Sequence, residues 1–96
     1  MRMLLTAKLD TDTANQAVND GTLSKMVQEM TEALRPESAY FTATEGVRCC
    51  YMVFDMKESA QMPRMLEPFF HTGAEVDVRP VMSMDDLQTG LASLGR

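Results

Sequence analysis

The sequence predicts an α+β domain built on one antiparallel sheet, and three observations carry that prediction. Four segments have strand character: residues 3–9, 38–44, 47–56 and 74–82. Two apolar stripes at helical spacing fall between them. One is Leu23, Met26, Val27, Met30 and Leu34; the other is Met62, Met65, Leu66 and Phe69. The second and third strand segments are separated only by Glu45 and Gly46, a connection too short for anything but a hairpin.

Taken in order, "MLLTAKL" places Met3, Leu5, Ala7 and Leu9 on one side and Leu4, Thr6 and Lys8 on the other. A helix follows, with Thr13 and Gln16 spaced as a capping box. Its apolar pattern changes phase at "NDG", residues 19–21, which predicts a short first piece, a break near Gly21 and a second helix to about Leu34. Pro36 disfavours helical geometry at Arg35 and ends it. "SAYFTAT" (38–44) is rich in aromatic and β-branched residues and reads as a second strand. Gly46 supplies the positive φ of the turn, and "VRCCYMVFDM" is the third strand. Ser59 is placed to cap the next helix, Pro63 is tolerable in its first turn, and Pro68 should kink or stop it. "AEVDVRPVM" is the fourth strand, and Pro80 assigns it to a sheet edge, where a missing donor does no harm. Ser83 and Asp86 cap a short last helix with a narrow stripe of Leu87, Leu91 and Leu94.

The order β-α-β-β-α-β-α over residues 1–96 fits one ferredoxin-like domain: βαββαβ, a four-stranded antiparallel sheet with two helices on one face, plus a short C-terminal helix. Right-handed crossovers bring the first and third strands together at the centre, with the second and fourth at the edges.

Composition narrows the partners. The formal charge of −5 argues against a nucleic-acid footprint and against anionic membrane surfaces. No run approaches the length of a membrane span and no signal peptide is visible, so a cytoplasmic location is expected. Cys49 and Cys50 are neighbours on a strand and point to opposite faces, which predicts two reduced thiols. With two cysteines and one histidine, no N/S metal site can be assembled, and no fingerprint for a phosphate, a dinucleotide or another cofactor is present. The ten methionines suit a core with irregular gaps.

The third strand is apolar on both sides. Val47, Cys49, Tyr51 and Val53 form one row; Arg48, Cys50, Met52 and Phe54 form the other. Helices cover one face of the sheet, so the other should be covered by a second copy through a two-fold, self-complementary patch. Leu4, Tyr40 or Phe41, and Val81 are expected to add to that face, with Arg2, Thr6, Lys8, Arg48, Glu75, Asp77 and Arg79 as its polar groups. His71 follows the second helix; its position suits a charged imidazole near a helix C-terminus, and Glu67 stands four residues before it.

"NDGTL" (19–23), "LRPESAYFT" (34–42), "EP" (67–68) with a following aromatic, and "PVMSMDDL" (80–87) resemble a family of small uncharacterised bacterial proteins of the dimeric α+β barrel kind, along nearly the whole chain. More distantly, the architecture is similar to that of cofactor-free monooxygenases of antibiotic biosynthesis and of muconolactone isomerase-like proteins, which bind small apolar or aromatic molecules between helices and sheet. The leading expectation is a homodimeric small-molecule-binding or interaction module that uses its sheet face. The alternative is a cofactor-independent monooxygenase or isomerase acting on a small aromatic or organic acid. Tyr40, Arg48 and Tyr51 are then the candidate ligand contacts, with Arg48 holding a carboxylate or enolate oxygen and His71 moving a proton. A further possibility is an accessory subunit that docks on a larger protein through its last helix.

Overall fold

In the computed structural model, which describes residues 1–95, β1 (Arg2–Lys8) leads into α1 (Thr11–Asp20) and α2 (Leu23–Leu34). The β2–β3 hairpin follows (Ser38–Thr44 and Val47–Asp55), then one 3-10 turn (Ser59–Gln61), α3 (Met62–Phe70), β4 (Glu75–Pro80) and α4 (Met84–Ala92). The sheet order is β2-β3-β1-β4 and each neighbouring pair is antiparallel. This is the ferredoxin-like arrangement, with β1 and β3 central and both predicted edge strands in place.

Register explains which half of the sheet is covered. Met3, Leu5 and Ala7 of β1 stand opposite Phe54, Met52 and Cys50 of β3. These six join Met30 and Leu34 of α2 and Met65, Leu66 and Phe69 of α3 in one buried cluster. Val76 and Val78 of β4 and Ala39 of β2 pack against it from the edges. The side chains between them in sequence point the other way. Phe54, Phe69, Leu5, Met30 and Met52 are the largest fully buried side chains, and two of the five are methionines.

Several local expectations need correction. The first helix is capped by Asp10, not by Thr13: the Asp10 carboxylate accepts from Thr13 N at 3.0 Å and from Thr13 Oγ1 at 2.8 Å. In place of Ser59, Glu58 and Gln61 form the capping box of the 3-10 turn that precedes α3. A carboxylate reaches the first free amides of a turn as well as a hydroxyl does, so the neighbouring acid outcompetes the predicted residue in both cases. Pro68 stays inside α3, which runs two residues further and closes with His71 N donating to Glu67 O at 2.9 Å. The break at Gly21 (φ 79°), the halt at Arg35 (φ 49°) and the Glu45–Gly46 turn (φ 53° and 81°) fall where the sequence places them. The two positive φ values of the turn are those of a type I′ hairpin.

Two outcomes follow from this packing. Phe54→Ala lowers stability by about 3–5 kcal/mol, because it empties the centre of the covered face; urea unfolding should show it as a lower midpoint with an unchanged slope. The hydrogen bonds from Thr13 hold the Asp10 carboxyl below its ordinary value. A depressed folded pKa contributes stability that is complete above the unfolded value near pH ~3.9 and is lost as pH falls through the folded one. Asp10→Asn keeps a capping oxygen without the titration, so its melting temperature should fall less steeply than wild type below that pH.

Candidate functional site

The strands bring the expected site residues to different places. Tyr40 and Tyr51 are directly paired across β2 and β3, on the face away from the helices. Leu4 stands opposite Val53 and Thr6 opposite Tyr51 in the same layer. Leu4, Tyr51 and Val53 are half-buried and Tyr40 is 68% exposed, so this apolar centre has no layer of its own chain over it. Cys49 lies in the same row, buried between Lys8 and Thr42 on the adjacent strands. Polar groups ring the layer: Arg79 pairs with Asp77 at 2.7 Å, Arg2 with Glu37 at 2.6 Å, and Lys8 with Glu45 at 3.4 Å. All three pairs are exposed, where such contacts contribute little.

Arg48 is not in this layer, contrary to the sequence expectation. Alternation along β3 sends it to the helix side with Cys50, Met52 and Phe54, and its Nη2 donates to Asn15 Oδ1 of α1 at 3.0 Å. Phe41, not Tyr40, shares that side, opposite Cys50. His71 ends α3 on the helix layer, its side chain 80% exposed, with Nε2 at 3.6 Å from Glu67 Oε2. The two tyrosines therefore do not converge with Arg48 or with His71.

What the chain does assemble around Arg48 is a cleft of about 180 Å³ between α2 and the β2–β3 hairpin. Leu9, Leu23, Val27, Met30 and Phe41 line it, with Arg48 and the Thr42, Cys49 and Cys50 positions completing the wall. Sequence reasoning missed the cleft because its lining comes from α2, the hairpin and the end of β1, elements whose docking no local pattern reveals. The phase of the α2 stripe was the available signal, since Leu23, Val27 and Met30 belong to it. Of the larger hollows, one of about 640 Å³ beside Arg35, Asp55, Lys57 and Arg64 is lined mainly by charged and polar side chains, whereas one of about 790 Å³ at the start of α4 is mainly apolar, walled by Met1, Val81, Met82, Met84 and Leu87.

Among the described residues Arg48 has a neutral amide as its side-chain partner and no carboxylate within ion-pair distance, unlike Arg2, Lys8 and Arg79. The cleft wall is almost wholly apolar, so Arg48 adds its aliphatic stem to it while its guanidinium reaches Asn15 at the edge. Cys50 offers no nucleophile there: burial, and then the neighbouring Cys49, push its thiol up to about 11, against a smaller lowering by the Ala7 backbone. A thiol so protonated at neutral pH is a packing group. Among the described residues no cluster of His, Cys, Asp or Glu is arranged to hold a metal ion, and no helix is long and apolar enough to cross a membrane.

Comparison with known proteins adds a structural likeness and a family. Protein Atu4242 from Agrobacterium tumefaciens, known from its crystal structure, is similar at 12% identity and a TM-score of 0.44, over 88% of this chain and 96% of that one. No match is found among curated protein sequences. The family described as a domain of unknown function, DUF3303, matches residues 1–95, and the chain belongs to it.

Proposed function

We propose that this chain is a homodimeric binding module that takes a small apolar carboxylate into the cleft between α2 and the β2–β3 hairpin. The observation that carries the ligand assignment is Arg48, whose guanidinium stands at the edge of an oily cleft with Asn15 and no carboxylate as its partner. A guanidinium presents a planar fork that matches a carboxylate, and a cleft wall of low polarity strengthens that contact. Size limits the ligand further. An apolar cavity of about 150 Å³ holds one benzene ring, so about 180 Å³ suits a single aromatic ring or a short branched chain.

The dimer half of the proposal rests on the open sheet face. Leu4, Tyr40, Tyr51 and Val53 form one apolar layer, and leaving each such side chain in water forgoes about 1.5–3 kcal/mol of burial. A two-fold axis through this layer would cover both copies with a single self-complementary patch. The exposed ion pairs around it would then stand at the rim.

The ligand assignment is tested by thermal shift against a panel of aryl and branched-chain carboxylates and their amides. A ligand at a hundredfold excess over its Kd stabilises the native state by about 2.7 kcal/mol, a rise on the order of 10–20 °C for a domain of this size. The carboxylates should raise the melting temperature and the amides should not. Arg48→Gln should abolish the shift while leaving the unliganded melting temperature close to wild type. An equal response from acid and amide, or a full response in Arg48→Gln, sinks the assignment. Sedimentation tests the dimer separately: at micromolar concentration the species should have twice the 10.7 kDa chain mass.

A further inference from the structure

α4 is a helix without a floor. None of its residues is buried. Met84, Leu87, Leu91 and Leu94 recur at intervals of three, four and three, the spacing of a seam between helices, yet Met84 is 71% exposed and Leu94 62%. A capping box of Ser83 and Asp86 starts the helix, with Ser83 N donating to Asp86 Oδ2 at 3.0 Å and Asp86 N to Ser83 Oγ at 3.1 Å. Nine residues with Gly90 in the interior are nevertheless too few to hold a helix in water without tertiary packing.

The whole-chain dimensions are those of an extended molecule. The radius of gyration is 15.7 Å and the longest axis 57 Å, against about 12.5 Å for a compact chain of this length. The accessible surface is 6620 Å², where the size scaling for folded monomers gives about 5500 Å². The surplus of roughly 1100 Å² per chain exceeds the ~800 Å² that each partner gives up in a standard interface. A chain with this much surplus surface has the dimensions of a subunit.

We infer that α4 and the turn after it are an exchanged arm: the row of Met84, Leu87 and Leu91, continued by Leu94 just past the helix, lies on a second copy of this chain, and the partner's arm is received in return. A second copy is the favoured occupant because the same chain carries both an uncovered apolar row and an uncovered apolar sheet layer. A two-fold axis satisfies both in duplicate, and the surplus area is more than one partner's share of a standard interface. The inference rests on the dimer reading and adds to it the segment that holds the two copies together.

The test uses the full chain. Leu87→Glu with Leu91→Glu places two charges on the row without touching the core, since both residues are exposed within their own chain. Sedimentation equilibrium should show the dimer weakened by at least about a hundredfold, the loss expected when anchor residues are removed from an interface. In wild type, hydrogen exchange should show α4 amides protected in proportion to the dimer present; this second readout stands even if the double variant folds poorly. A wild-type dimer that the double variant forms equally well, or α4 amides that exchange freely in it, overturns the arm and leaves the dimer reading standing. A wild-type monomer overturns both, and assigns the row to a different protein.

Discussion

The pairing of β1 with β3 is the constraint on which the rest of the molecule depends. Both strands are central, and their register sets Leu5 opposite Met52 and Met3 opposite Phe54. Because the side-chain period of a strand is two, this one choice of partners decides the fate of every residue on both strands. Slipping β3 by one position would bring Val47, Cys49, Tyr51 and Val53 under the helices and turn Met52 and Phe54 outward. The helices discriminate between these registers. Met30 and Leu34 from α2, and Met65 and Phe69 from α3, meet a row containing two of the largest fully buried side chains in the chain. Flexible methionines on both sides of that contact let a small core close without voids.

From this pairing the separation of functions follows. Arg48 lies at the start of β3 on the covered row, so its long side chain emerges beside α1 and α2, where Asn15 receives it. Tyr51 lies three residues on, an odd interval, and must point to the opposite layer. Under the proposed reading, ligand contact and subunit contact would fall on opposite faces of one strand. The adjacent cysteines mark the same divide: Cys50 belongs to the core, while Cys49 lies in the open layer.

Much of the architecture was legible because it rests on short-range rules. The Gly21 break, the Arg35 halt before Pro36, the Glu45–Gly46 turn and the edge position of β4 each follow from the allowed backbone angles of one or two residues. The caps were less legible, since Asp10 and Glu58 sit beside equally plausible hydroxyl residues and the winner depends on where the chain enters the turn. The row of β3 that faces the helices was not legible at all, as both rows are apolar and only the packing of α2 and α3 chooses between them. That ambiguity placed Arg48 on the wrong layer, and with it the notion of one site shared by Tyr40, Arg48, Tyr51 and His71. The cleft stayed hidden for a related reason, since its walls come from segments far apart in the chain.

β2 has a further consequence. It forms one margin of the sheet, and its sequence from Ser38 to Thr44 contains no charge, proline or glycine. Natural proteins usually guard such a margin with lysine, proline or a bulge. β4 at the far margin carries Pro80 and three charged residues among its six. A seven-residue uncharged segment rich in aromatic and β-branched side chains has the composition of strands that stack into fibrils. The hairpin side is therefore where partly unfolded molecules would zip to one another, so prolonged heating of concentrated protein would end in insoluble aggregate while brief heating of dilute protein remains reversible.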